Sequence, residues 1–491
     1  MADYDVIVVG AGNAALAAAV SARQQGAGRV AVLEKAPREL RGGNTHYSGG
    51  LFRFAYDSAE DLRPLVPDAE QEVPGFFASV EPYPQKRFWE DLLRVTESRT
   101  DPELAEILIG RSYDTLRWVA EQGVHLEPAV SLSAVKVGGV IKWSPGAVIR
   151  AQHEGVGLSA SWFKIAAARG VDITYDTGAL GLLQDKRGRV TGVLVQDPEG
   201  TREITAGSVV LACGGFEANP EWRARYLGRP WDHAKVRGTR YNLGDGLRMA
   251  IEIGALVHGQ WTGCHSTPID ADAPPHGDRK LTDKTNRLSY PYGVLVNARG
   301  RRFFDEGEDF QFYTYAKLGG IILNEPSGVG YQIFDQKVVD LLEGRYKTGQ
   351  PIIADTLADL VARLPVDRAA CLETLERYNA AVKPGAFDAT VKDGLRTSGL
   401  DLPKSNWAQA LDTPPFVAYP VTGGITFTFG GVRVNSQAQV LSTRWQPIPG
   451  LYACGEMVGG LFHVNYPGGS GLMSGAVFGR IAGASAAGLE R

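Results

Sequence analysis

The residues that most clearly point to chemistry are Gly10-Ala11-Gly12-Asn13-Ala14-Ala15, with Glu34 following about twenty residues after the glycines. Glycines at this spacing permit a tight turn and let the backbone come close to a pyrophosphate seated on a helix N-terminus. A carboxylate at the end of the next strand accepts hydrogen bonds from adenosine ribose hydroxyls and disfavours a 2′-phosphate. The flanking elements needed to place these groups are present. Asp5 to Val9 is a buried-strand run, Ala14 to Gln25 is an alanine-rich helix, and Arg29 to Glu34 is a second strand, so the three form a βαβ unit.

Two further strands end in groups of the same kind. Ser208 to Gly215 is an apolar strand closing on a glycine pair, and Gly450 to Glu456 is again strand and then glycine. In a doubly wound sheet both would reach the dinucleotide edge. A small-residue helix over Gly475 to Gly488 returns to the same unit. Between Ile173 and Thr205 two turn signals, Lys186-Arg187-Gly188-Arg189 and Asp197-Pro198-Glu199-Gly200, imply a three-stranded β excursion. From about Trp261 to Pro420 the composition shifts to more Pro, Asp and Tyr, with a charged helical stretch over Asp355 to Lys383. The expected fold is therefore α/β: a Rossmann-like dinucleotide-binding domain, residues 1–258 and 425–491, interrupted by an α+β capping domain, residues 259–424.

Composition narrows the function classes. At 491 residues, 44% apolar and 22% charged, the chain has room for more than one core and a buried cofactor. A net charge of −4 gives no electrostatic footprint for nucleic acid. Cys213, Cys264, Cys371 and Cys454 show no C-x-x-C or C-x-x-C-H spacing, which argues against iron–sulfur, structural zinc and attached haem and for no metal. The expectation is a cytoplasmic protein with reduced thiols, no secretory signal and no window of about 20 apolar residues for a membrane span.

In order along the chain, several motifs resemble the flavoprotein family of fumarate reductase and succinate dehydrogenase subunits, L-aspartate oxidase and 3-ketosteroid dehydrogenases. They are the fingerprint with Glu34-Lys35, Gly42-Gly43-Asn44-Thr45, Leu211-Ala212-Cys213-Gly214-Gly215, Gly244-Asp245-Gly246, Val294 to Asn297 with Gly300-Arg301-Arg302-Phe303, and Gly455-Glu456. The resemblance implies FAD in a glutathione-reductase-type domain with a cap closing over the flavin. It implies cofactor contacts from Gly10, Gly12, Asn13, Ala14, Glu34, Lys35, Gly42, Gly43, Asn44, Thr45, Ala212, Gly214, Asp245, Glu456, Ser470 and Leu472. Where some relatives tether FAD through a histidine in a Ser-His-Thr context, Asn44 precedes Thr45 here and His46 is one residue off, so non-covalent FAD is implied.

The fumarate-type catalytic set is only partly matched. His265-Ser266-Thr267 resembles the substrate-histidine motif, but Asn286, Ser289 and Phe310 stand at the three positions of the Arg-Glu-Arg proton relay. Thr426-Phe427 replaces a histidine pair, and Tyr466 replaces a catalytic arginine within Asn465-Tyr466-Pro467-Gly468-Gly469. Tyr-Pro-Gly resembles the ketosteroid dehydrogenases. Arg237-Gly238-Thr239-Arg240-Tyr241-Asn242 and Gly424 to Gly431 are similar to the tricarballylate dehydrogenase branch, which passes electrons to a separate membrane-bound protein.

The reaction implied is desaturation of a C–C bond beside a carboxylate or carbonyl, most simply in a tricarballylate-like polycarboxylate. Alternatives are a cyclic ketone, the reverse reduction of an unsaturated carboxylate, or a flavin-bearing protein without catalysis. Such chemistry needs donors where charge develops and a group that takes the proton. His265 and Tyr466 are the candidate polar groups at the reacting atoms, Arg240 and Arg53 the candidate anion anchors, and His463 stands close behind. Arg287 is a further cation out of register with the relay. The base stays open between Tyr313 and Tyr315, while Glu306 and Glu308 read as structural.

Overall fold

The computed structural model describes residues 2–137 and 140–488. Strand β1 (Tyr4–Val9), helix α1 (Asn13–Gln24) and β2 (Val30–Leu33) form the βαβ unit, with β1 and β2 parallel from Val6↔Val30 to Val9↔Leu33. Val6, Ile7, Val8, Val30 and Val32 are fully buried, as expected of strands covered on both faces. Next come β3 (Asp172–Thr174), β4 (Gly178–Gln184), β5 (Val190–Asp197) and β6 (Gly200–Leu211). β3 extends the parallel sheet beside β2, and β4 to β6 form the antiparallel excursion before β6 runs parallel to β1.

A second sheet holds β7 (Cys264–Asp270), β8 (Val294–Asn297), β9 (Val329–Phe334) and the long β10 (Phe416–Thr428). β7 and β9 both pair antiparallel with β10, and β8 pairs with β9. The short strand Lys235–Val236 adds to β10 in parallel, Lys235 opposite Gly424 and Val236 opposite Ile425. This sheet therefore draws on residues outside the 259–424 segment at both ends. Helix α2 (Tyr315–Asn324) packs between β7 and β10 through Gly319, whose backbone lies against Ser266 and Thr267. The charged stretch expected as one helix is two, α3 (Leu357–Ala362) and α4 (Arg368–Ala381). Pro365 interrupts the run, and the Asp367 side chain caps the second helix by accepting from the Ala370 N–H at 3.0 Å.

The chain then returns through β11 (Gln439–Leu441) and β12 (Pro447–Ala453), giving the order β11-β12-β6-β1-β2-β3. Helix α5 (Ser470–Ala487) closes the structure by crossing α1 at backbone distance. A Cβ at Gly479 would lie 2.5 Å from the Ala14 carbonyl oxygen, and one at Gly483 only 2.0 Å from that of Ala18. Among the described residues no helix is long and apolar enough to cross a membrane. Gly483→Ala is expected to push the helices apart and lower the melting temperature by about 2–5 °C, from an overpacking cost of about 1–3 kcal/mol. Gly488→Ala, where the added carbon would meet nothing closer than 3.5 Å, should leave it unchanged. Equal melting curves for both variants and wild type would show that the helix contact is not tight.

Candidate active site

One elongated cavity runs from the C-terminal edge of the parallel sheet to the second sheet. At the first end it is lined by Gly10, Gly12, Asn13, Ala14, Glu34, Lys35, Gly43, Asn44, Thr45, Ala212, Gly214, Asp245, Glu456 and Leu472. All fourteen were expected from sequence; of the sixteen, only Gly42 and Ser470 fall outside the lining. Gly10 takes φ +103°, and a Cβ there would sit 2.5 Å from the Ala212 carbonyl oxygen, so the β1 turn must pass β6 without a side chain. The N-cap residue Gly12 supplies no side-chain cap to α1, whose first turn lines this end of the cavity. Asn13 ties this turn to the rest. Its N–H donates to Thr45 Oγ1 at 2.8 Å, its Nδ2 to the Leu472 carbonyl at 2.9 Å, and its Oδ1 accepts from Trp162 Nε1 at 2.9 Å.

Buried carboxylates set the electrostatics of this end. Glu34 lies with Oε1 held by the Ala36 N–H at 2.8 Å, and burial pushes its carboxyl up to about 7. Glu217 is fully buried and Glu456 half-buried beside Asn44, Asn242 and Thr428. Glu217 Oε1 accepts from Asn44 Nδ2 at 2.7 Å and Asn242 Nδ2 at 2.5 Å, and Glu456 Oε1 accepts from the Thr428 N–H at 2.7 Å. Desolvation raises both carboxyls, and the charge of Glu217 raises that of Glu456 further. Glu217 was not foreseen; its only sequence signal is its place directly after the Gly214-Gly215-Phe216 strand end.

The other end is built from Arg237, Tyr241, Thr426, Phe427, Phe429, Leu461, Phe462 and Tyr466. Tyr466 and Tyr315 share a hydroxyl–hydroxyl hydrogen bond of 2.5 Å, and burial raises both phenols, so both keep their protons. His265 stands opposite Phe427 in the β7–β10 ladder and stacks on it at 5.0 Å with a 15° tilt, edge-on to Tyr466 at 4.7 Å and Tyr315 at 5.1 Å. It lies behind Phe427 rather than on the cavity wall. Both ring nitrogens are buried without a partner, and burial holds the imidazole neutral.

The remaining candidates lie elsewhere. Arg53 is fully buried, donating to the Gly468 carbonyl at 2.8 Å, the Tyr83 hydroxyl at 2.9 Å and the Tyr313 hydroxyl at 3.3 Å, while Tyr313 donates to Asp91 at 2.7 Å. These two brace the Tyr466-Pro467-Gly468 loop from behind and do not line the cavity. Arg240 is exposed over the Tyr241 ring, because the turn after Val236 directs Arg237 inward instead. Arg287 is consumed by Asp270 and by backbone carbonyls of Lys284, Asn286 and Arg345. His463 is buried beside the lining residue Phe462 without itself facing the cavity, and Phe310 packs on Trp407 at 5.3 Å. Arg302 and Glu306 form a buried ion pair, and Glu308 holds Lys317 at 2.7 Å, both structural as expected.

A family profile described as FAD binding domain matches residues 5–472. The chain belongs to that family. A probable fumarate reductase of Shewanella frigidimarina is 30% identical over 500 residues, covering 98% of this chain and 74% of the relative. The 4-oxocyclohexanecarboxylate 2-dehydrogenase of Sinomonas cyclohexanicum is 27% identical over 555 residues, 95% of this chain and 89% of the relative. The open conformation of a flavocytochrome c3 fumarate reductase superposes with a TM-score of 0.71 at 27% identity, over 99% of this chain and 78% of that one. The family member described here is thus an FAD-dependent oxidoreductase of fumarate reductase type.

The residues fit that cofactor. The α1 N-terminus has no cap from Gly12 and suits an anion, Glu34 presents a carboxylate, and Ser470 Oγ is buried without a partner at the start of α5. Ribose hydroxyls donating to Glu34 favour its ionised form, whereas burial disfavours it, so FAD binding is expected to release a proton. Affinity of the FAD-free protein for FAD should therefore rise with pH up to about 7 and level off above it. Over the same window, from 4.5 to about 7, the Glu34 contribution to stability of the FAD-free protein is lost, because the unfolded carboxyl ionises first. Fluorescence titrations between pH 5 and 8 check this: Glu34→Gln should bind more weakly and lose most of the pH slope, and an unchanged slope would remove Glu34 from the ribose site.

Proposed function

We propose that the protein desaturates a C–C bond next to a carbonyl or carboxylate of a small organic acid, with FAD held non-covalently. The observation that carries this reading is Tyr466, hydrogen-bonded to Tyr315 behind it, which lines the far end of the same cavity that begins at the dinucleotide fingerprint. Bound FAD supplies a flavin N5 that accepts the hydride. Tyr466 donates a hydrogen bond to the substrate oxygen and so makes the neighbouring C–H more acidic. Tyr315 fixes the direction of that hydroxyl, and the buried aromatic wall excludes water. His46 supports a non-covalent cofactor, since its ring does not line the cavity although Thr45 and Ser48 do. The second sheet acts as the cap, because Phe427, Phe429 and Thr426 of β10 and its edge form the wall at this end.

The motif likeness to the tricarballylate branch favours a polycarboxylate. A ring carbonyl acid is the second reading, favoured by the apolar surfaces of Phe427, Phe429 and Phe462 and by the relative that acts on 4-oxocyclohexanecarboxylate. Without C-x-x-C-H spacing in this sequence, electrons leave to a separate acceptor, and a membrane-bound electron-transfer protein is the class implied by the motifs. The cytoplasm is the compartment proposed. Anaerobic visible spectra of the purified holoprotein test the reading when tricarballylate, succinate, 4-oxocyclohexanecarboxylate and cyclohexanone are added in turn. At least one should bleach the flavin, and Tyr466→Phe should slow that bleaching about 10²–10³-fold, as loss of one oxyanion donor does. No bleaching by any of them, or full speed in Tyr466→Phe, would discard the proposed chemistry.

A further inference from the structure

Arg237 is held in a way that leaves part of it unspent. The strand Lys235–Val236 runs parallel to β10, and the Arg237 N–H continues the ladder by donating to the Ile425 carbonyl at 2.8 Å. This register places its side chain beside Thr426 at the cavity wall. Nε donates to Thr426 Oγ1 at 3.0 Å, and Nη1 to Asp283 Oδ1 at 2.7 Å and more distantly to the Tyr47 carbonyl at 3.4 Å. Among the described residues Nη2 has no hydrogen-bond partner, and the side chain lines the cavity.

Its counterion is divided. Asp283, almost completely buried, also pairs with Arg345 through its other oxygen and accepts from Asn286 Nδ2 at 2.7 Å. Arg345 has a second counterion in Glu343, whose Oε2 lies 3.0 Å away, so the two guanidinium groups face two carboxylates and what turns to the cavity is the unpartnered Nη2 edge of Arg237. The charge of Arg237 acts on Tyr466, Tyr315 and His265 alike. Among the described residues lining the cavity, the other cation is Lys35, which is at the fingerprint end and bound to Asp245 at 2.7 Å.

We infer, resting on the second reading of the proposed function, that Arg237 is the anchor for one anionic group of the substrate and makes the enzyme selective for a monocarboxylate with an apolar, carbonyl-bearing body. A carboxylate on Nη2 would fix one end of the molecule, while the Tyr466 hydroxyl takes the carbonyl at the other and the phenylalanine faces contact the carbons between. A second or third carboxylate would meet aromatic rings without a cation and would carry a desolvation cost. Tricarballylate therefore fits this end poorly, although the motifs resemble that branch.

The test uses the FAD-loaded protein under anaerobic conditions, titrated with 4-oxocyclohexanecarboxylate, its neutral methyl ester and tricarballylate while the flavin spectrum reports binding. Wild type should bind the keto acid at least tenfold more tightly than the ester and more tightly than tricarballylate. Arg237→Gln should weaken the acid about 10- to 150-fold, the loss of a charge-assisted pair, and leave the ester within about threefold. Arg237→Lys should keep a reduced preference for the acid, and it serves in place of Arg237→Gln if that variant does not retain FAD. An acid-to-ester ratio that survives Arg237→Gln, or an equal loss for both ligands, overturns the anchor while leaving the proposed function intact. Tighter binding of tricarballylate overturns the monocarboxylate class. A wild type that responds to none of the three overturns the functional reading itself.

Discussion

The site exists because α5 meets α1 backbone to backbone. Gly479 and Gly483 remove the side chains that would hold the helices apart, so the first turn of α5 and the loop ahead of it are brought onto the nucleotide fingerprint. Asn13 then locks the arrangement by reaching across some 460 positions of sequence to the Leu472 carbonyl. Without that contact, Tyr466 and Gly10 would belong to separate surfaces. Interiors are close-packed and respond poorly to added volume, so the helix crossing acts as a fixed datum for everything built on the C-terminal loop. Arg53 extends the same logic by gripping the carbonyl of Gly468 from beneath and fixing the loop in turn.

The two ends of the cavity use charge in opposite ways. At the fingerprint end, acids are withdrawn from water: Glu34, Glu217 and Glu456 are each raised by desolvation, and amide donors from Asn44 and Asn242 offset part of that cost for Glu217. At the other end, charge is scarce. Neutral phenols, a neutral imidazole and aromatic rings surround one guanidinium, paired with Asp283 through one edge only. Asn44 sits on the boundary, donating both to Glu217 and to the Thr426 carbonyl, so a shift at the nucleotide side would be transmitted directly to β10, the strand carrying Phe427.

The nucleotide end was largely legible in the sequence, because close backbone approach to a dinucleotide demands glycines at fixed offsets and leaves a local pattern. The capping end was not, because its parts come together through pairing between distant strands. His265 was singled out by its motif, yet the register of β7 against β10 turns it behind Phe427. Arg240 and Arg237 lie three residues apart in one motif, and sequence alone offered no way to choose between them. The choice is made by the parallel pairing of Lys235–Val236 with β10, a contact about 190 residues long-range that no local periodicity encodes. The division of the 355–383 stretch into two helices was readable at Pro365 and Asp367, and was obscured by a charged pattern that continues through both.

The aromatic surroundings of the phenol pair also set how strongly it can donate a hydrogen bond. Tyr315 and Tyr466 keep their protons at neutral pH even in water, where a phenol titrates near ~10, and burial raises both further. The wall of His265, Phe427 and Phe462, edge-on to Tyr466 with centroids 4.7–5.3 Å away, lowers the local dielectric and so strengthens the hydrogen bond that the hydroxyl offers. A neutral His265 with two unpartnered nitrogens would be an expense in a simple core, but here a protonated imidazole would repel the Arg237 charge and disturb the phenols. Keeping it dry preserves the single cation at this end as the feature that distinguishes one substrate from another.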